Sequence, residues 1–140
     1  MDCIFCEIIA GRAPASFVYQ GEQVVAFMSL EQPNPYKVLV VPRAHVETIY
    51  DLNAEQAALI FQATVRVAKA IRAISGCAGL NVVQSNGMAG QQDVFHFHIH
   101  LLPRFPDDTQ RGRILLSWDN AAATRLELDK LAGDLRSQMF

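Results

Sequence analysis

Phe95-His96-Phe97-His98-Ile99-His100-Leu101 alternates apolar and imidazole side chains without a break and holds three of the chain's four histidines. A strand turns successive side chains to opposite faces, so the apolar set is expected to enter a core while His96, His98 and His100 line the other face. Residues two apart along a strand are roughly 6.6 Å apart, which puts the outer histidines about 13 Å from each other. One metal ion cannot collect all three without strong bending of the strand. An outer histidine is therefore expected to serve one site and the remaining pair another. Imidazole suits such work because it acts near neutral pH as base, acid, nucleophile or ligand.

Working outward, the strand is expected to run from Val94 to Leu102, with Pro103 and Pro106 ending it. Before it, Ser85-Asn86-Gly87-Met88-Ala89-Gly90 reads as a loop, and Leu80 to Gln84 as a short strand. A long helix is expected over 54–74. Asn53 with Gln56 forms its cap, and Leu59, Ile60, Ala63, Val67, Ala70, Ile71 and Ile74 recur at helical spacing until Gly76 and Gly79 stop it. Phe17-Val18-Tyr19, Val24 to Met28 and Val38 to Val41 read as strands, the last two separated by Pro33-Asn34-Pro35. Past the prolines, Asp107 to Arg113 reads as a charged loop, and Leu126, Leu131, Leu135 and Met139 suggest an amphipathic C-terminal helix. The connections are too short for repeated parallel crossovers. The fold class is α+β, an antiparallel sheet of about five strands with one long helix and a C-terminal helix.

The 140 residues are about one domain's worth, and with 51% hydrophobic residues they support one core over 1–140. Twelve Lys and Arg against fourteen Asp and Glu leave a net charge of −2, so bulk charge offers no footprint for nucleic acid. No apolar run approaches a membrane span, and the acidic N-terminus does not read as a signal peptide, so a cytoplasmic protein is expected. Three cysteines in a reducing compartment argue against a disulfide framework. Cys77 reads as a small buried residue. Cys3 and Cys6 are either packing residues or half of a zinc site, and the apparent lack of a following helix disfavours a redox pair.

The His96-x-His98-x-His100-Leu101-Leu102 segment resembles the signature of the histidine triad (HIT) family. Cys3-Ile4-Phe5-Cys6-Glu7-Ile8-Ile9 is similar to the family's opening segment, Val38 to His45 to its second block, and Asn86-Gly87 with Gln92 and Val94 to the lead-in of the triad. The resemblance covers about residues 3–104, leaving 105–140 as a variable extension, and it points to a bacterial-type zinc-binding Hint-like or dinucleoside polyphosphate hydrolase-like branch. It implies a homodimer acting at the α-phosphate of a purine-nucleotide conjugate, a phosphoramidate or a dinucleoside polyphosphate. By position His98 would be the nucleophile of a covalent nucleotidyl-histidine, His100 would contact the phosphate or leaving group, and Gln92 would hydrogen-bond near the reacting phosphate. Phe5, Ile8, Phe27, Leu30 and Leu39 match positions that wall the base pocket. Ser29, Ser85, Asn86, Gln91 and Asp93 fall at nucleotide-binding positions. Cys3, Cys6, His45 and His96 match a structural zinc site, one ion per chain, with no catalytic metal and no membrane partner expected.

The sequence also departs from the family's pattern. Ser29 stands where many members carry an aspartate that holds both ribose hydroxyls. Lys37 takes a place often filled by histidine, Ser85 one sometimes filled by asparagine, and Gln91 replaces the glycine usual before Gln92. An alternative to the enzyme is therefore a catalytically weak nucleotide-binding regulatory module. The intact triad favours the enzyme.

Overall fold

The computed structural model describes residues 2–108 and 120–139. Five antiparallel strands form one sheet in the order β1-β2-β3-β5-β4: β1 Phe17–Gln20, β2 Val24–Met28, β3 Val38–Pro42, β4 Gly79–Val83 and β5 Ile99–Arg104. Helix α2, Ala54–Ser75, lies on one face, and the short helix α1, Ile4–Ile9, covers part of the other. A third helix, α3, spans Arg125–Gln138. The expected fold class is the one observed.

The unbroken apolar runs of β2 and β3 follow from burial on both faces. Val24, Ala26, Val38 and Val40 pack with Ile60, Ala63, Val67 and Ile71 of α2 and with Phe97, Ile99 and Leu101. The alternate residues Val25, Phe27, Leu39 and Val41 pack with Phe5 and Ile8 of α1. Helix α2 begins as its sequence indicates, because Asn53 accepts the Gln56 N–H while the Gln56 side chain accepts the Asn53 N–H. It ends at Gly76, whose φ of 64° is the left-handed conformation that glycine adopts without a Cβ clash.

Three features differ from expectation. Strand β5 starts at Ile99 rather than Val94. Its register pairs Val38 with Leu101 and Val40 with Ile99, so continuing it would set Pro42 opposite Phe97, where no backbone N–H exists to extend the ladder. The Phe97 N–H instead donates to the Val46 carbonyl at 2.7 Å, and Phe95 turns out to solvent. Secondly, β5 passes through Pro103 to Arg104. The Pro103 carbonyl accepts from the Asn34 side chain, so its ring nitrogen also faces that loop rather than β4, and the missing donor removes no ladder bond. Thirdly, α1 does follow Cys3, which caps it by accepting the Cys6 N–H.

Asn34 is a small polar keystone. Its buried amide donates to the Pro103 carbonyl at 3.0 Å and to Asp108 Oδ2 at 2.7 Å, and Asp108 also accepts from Arg104 and the Phe105 N–H. Asn34→Ala takes away the Pro103 carbonyl's side-chain donor and one of the bonds to Asp108, and is expected to destabilise the fold by about 1–3 kcal/mol in urea unfolding. An unchanged midpoint would count against this role.

The C-terminal helix forms with the expected amphipathic pattern, capped by Thr124, yet Leu126, Leu128, Leu131 and Leu135 are all exposed. Of the expected charged loop over 107–113, residues 109–113 lie outside the described residues. No helix among the described residues is long and apolar enough to cross a membrane.

Candidate functional site

The three histidines divide between two clusters. His96 joins Cys3, Cys6 and His45, while His98 and His100 join Asp93, and within each cluster the donor atoms lie within 4.8 Å of one another. The division expected from strand spacing is present, although residues 94–98 bend before the strand begins.

In the first cluster the sulfur-to-nitrogen separations are 3.4 Å from Cys3 Sγ to His96 Nδ1, 3.3 Å from Cys6 Sγ to His45 Nδ1, and 3.5 Å from Cys6 Sγ to His96 Nδ1. Two ligands on a tetrahedral zinc, at 2.3 Å for sulfur and about 2.05 Å for nitrogen, stand about 3.6 Å apart. These three separations are close to those of a tetrahedral zinc site, and two sulfurs with two imidazoles are a zinc-binding set. His96 Nε2–H donates to the Pro42 carbonyl at 2.8 Å, which leaves Nδ1 as the lone-pair nitrogen facing the sulfurs. Burial pushes His96 below the usual imidazole range, against the Pro42 bond and with help from His45 and His98, so the ring is a neutral donor. Burial and the neighbouring Cys3 push the Cys6 thiol up, the opposite of what a redox pair needs. That, rather than the absence of a helix, disfavours the redox reading.

In the second cluster His98 is fixed from one side. Its Nδ1–H donates to the His96 carbonyl at 2.8 Å, which in the neutral ring leaves the lone pair on Nε2. That nitrogen lies 3.2 Å from Asp93 Oδ1. Phe5 of α1 packs edge-on against His98 at 5.1 Å between ring centroids, and the His100 ring lies 4.8 Å from it. Burial pushes the Asp93 carboxyl up, but the Val94 N–H and the His98 and His100 rings outweigh it and hold it below its ordinary value. Burial, reinforced by His98 and Lys37 and opposed by Asp93, pushes His100 down to about 4.

The His100 shift sets a pH dependence. Above about pH 6.5 the ring is neutral folded or unfolded, and between there and about 4 only the unfolded chain takes up the proton. Stability from this group is thus present above about 6.5 and lost as pH falls toward 4. Urea midpoints of the zinc-loaded protein should drop between about pH 7 and about pH 5, and His100→Asn should reduce that drop. An equal drop in the variant would contradict it.

The remaining expected site residues are placed unevenly. Phe5, Ile8, Phe27 and Leu39 share one buried cluster, and the pairings Phe27 to Leu39 and Leu39 to His100 set those three in a row across the sheet. Leu30 does not join them; its side chain stands fully in solvent beyond the end of β2. Ser29 lies beside Lys37, its N–H donating to the Lys37 carbonyl, on a depression also lined by Met28, Gln32 and Tyr36. Ser85 precedes Asn86, which braces the loop by accepting the Ile49 N–H and exchanging bonds with Gln84. Gln91 adopts φ 65°, the left-handed conformation that favours glycine.

Gln92 is held within the loop by bonds to the backbone. Both amide hydrogens donate to backbone carbonyls, those of Glu47 and Val94, and its oxygen accepts the Gly87 N–H. The side chain is buried and spoken for, so it shapes the loop rather than reaching outward. Asp93, expected only as a nucleotide contact, proves to touch His98 directly. The bend at 94–98 brings the two together, and period-two spacing could not have shown it.

Histidines divided in this way between a cysteine cluster and the start of a central strand define a histidine triad protein. Residues 10–107 match the HIT domain, and the chain belongs to the HIT family. It is 41% identical over 104 residues to Protein hit of Bacillus subtilis, covering 74% of this chain and 72% of that one. It is 28% identical to the adenosine 5'-monophosphoramidase hnt1 of Schizosaccharomyces pombe over 99% of each chain. Among solved structures, a HIT family member from Bacillus subtilis superposes with a TM-score of 0.91 at 33% identity, covering 100% of this chain and 99% of that one. A zinc-bound histidine triad protein from Mycobacterium smegmatis gives a TM-score of 0.73 at 28% identity, covering 98% and 97%.

Proposed function

We propose that this protein is a nucleotidyl hydrolase or transferase that acts at the α-phosphate of a purine-nucleotide conjugate through a covalent adduct on His98. The observation that carries the reading is the hydrogen bond from His98 Nδ1–H to the His96 carbonyl, because it aims the Nε2 lone pair away from the backbone. Attack forms an Nε2–P bond as the bond from phosphorus to the leaving group breaks, and water then cleaves the Nε2–P bond to release the nucleotide. The leaving group takes its proton from His100, because His98 Nε2 forms the bond to phosphorus and the His98 Nδ1–H is held by the His96 carbonyl. An arriving phosphate opposes the burial that keeps His100 deprotonated and raises its proton affinity. Gln92 acts as a positioning residue, holding Gly87, Glu47 and Val94 so that loop N–H groups face the phosphate. Phe5, Ile8, Phe27 and Leu39 form the apolar side of the base site.

The name of the fission-yeast relative, a phosphoramidase, supports an adenosine phosphoramidate as the first substrate to try. The protein should be incubated with adenosine and guanosine phosphoramidates and a diadenosine polyphosphate while nucleotide release is followed. Release from at least one, with an acid-labile adduct on His98 in quenched reactions, is expected. The Asp93 carboxylate beside Nε2 favours one competing reading, a binding module with little turnover. Tight nucleotide binding without release from any of the three would establish that alternative instead.

Cys3, Cys6, His45 and His96 hold one structural zinc, a closed four-ligand site that ties the N-terminus to the triad and supplies no step of the chemistry. The working unit is a homodimer joined along β4. That strand is an edge of the sheet, and Val82 on it and Phe61 and Val65 on α2 are exposed apolar residues, with Val65 and Leu80 lining one hollow. Sedimentation should give a dimer for the wild type and a shift toward monomer for Val82→Lys. A wild-type monomer at micromolar concentration would overturn it.

A further inference from the structure

Asp93, His98 and His100 bring one carboxylate and two imidazoles together beside the sheet, with donor atoms within 4.8 Å of one another. This is a second group of metal-ligating type, separate from the cysteine cluster. We propose that these three residues form a second, reversible binding site for a divalent transition-metal ion, and that an ion held there blocks nucleotidyl transfer. The blocking half rests on the function proposed above; the binding half does not.

Four observations carry the site. The donor set is the two-histidine, one-carboxylate combination that suits borderline ions such as Zn²⁺, Co²⁺ or Ni²⁺ better than Mg²⁺ or Ca²⁺, which prefer oxygen alone. Two donors bound about 2.1 Å from one ion stand about 3.0–3.4 Å apart, and the separation from His98 Nε2 to Asp93 Oδ1 is already 3.2 Å. His98 carries the outer support typical of a ligand, its other ring nitrogen donating to the His96 carbonyl, which fixes the ring with Nε2 outward. The Asp93 side chain is 72% exposed while its Oδ1 is anchored by the Val94 N–H, so an ion has both an entrance and a held carboxylate.

Three protein ligands leave coordination positions open, which water or a phosphate oxygen can fill. The ion would nevertheless take the Nε2 lone pair, and attack on phosphorus needs that same pair. Carboxylate and ion together thus compete with substrate at one atom.

The test uses protein carrying one zinc per chain, titrated with CoCl₂ alone. A second equivalent is expected to bind with weak visible absorption and no thiolate-to-cobalt charge-transfer band, since no sulfur belongs to this site. Asp93→Asn, an exposed and nearly isosteric change, should weaken that second equivalent about tenfold or more while zinc content stays at one. A total of one ion per chain, a strong charge-transfer band, or an unchanged affinity in Asp93→Asn would overturn the site. In parallel, release of AMP from an adenosine phosphoramidate should fall as the second equivalent fills, and the same concentration of Mg²⁺ should leave it unaltered. Turnover undiminished at saturating Co²⁺ would overturn the block. A second ion on a protein that turns over no substrate would uphold the site and count against the proposed activity.

Discussion

His98→Ala is expected to lower nucleotide release by about a thousandfold or more while leaving nucleotide affinity within about tenfold. The size follows from losing the covalent route entirely, not one hydrogen bond. The proposed base site is expected to survive the change, since Phe5, Phe27 and Leu39 also pack with Ile8, Val25 and Val41 and lose only the edge contact of Phe5 with His98. Because His98 is buried against Phe5, thermal unfolding must accompany the assay to show that the variant is folded. Activity within tenfold of wild type in a folded variant would remove His98 from the nucleophile's role, as would an adduct mapped to His100.

The second large effect concerns the metal. Protein from cells grown with ample zinc should carry about one ion per chain, with two sulfurs near 2.3 Å and two nitrogens near 2.0–2.1 Å by X-ray absorption. The double change Cys3→Ser with Cys6→Ser should abolish that content and lower the melting temperature by about 10 °C, equivalent to about 3 kcal/mol at this chain length. The fold should persist, because the cluster between the sheet and α2 contains none of the four ligands. What loosens is the N-terminal segment and the bend before β5. An unchanged melting temperature would defeat the structural role even if zinc is bound.

The strands β2 and β3 and the helix α2 were legible in the sequence, because the strands are unbroken apolar runs and the helix is long, and in each the pattern is enforced by burial that propensity also favours. Helix α1 was not, since six residues are too few for a 3.6-residue period to declare itself; its shape depends on Phe5 and Ile8 docking on the sheet. The start of β5 was misplaced because the residue that stops it, Pro42, lies on a neighbouring strand whose register sequence alone does not reveal. At the site, the division of His96 from His98 and His100 was readable from alternation and from the family likeness. The hydrogen-bonded burial of Gln92, the exposure of Leu30 and the contact of Asp93 with His98 all arise from chain bends that leave no periodic trace.

His96 links the two clusters: its ring faces the cysteines, and its carbonyl accepts from the His98 Nδ1–H. On the proposed assignments any coupling is reciprocal: the factor by which zinc would change nucleotide affinity is the factor by which nucleotide would change zinc affinity. The His96 peptide group is the shortest covalent route between the two proposed sites.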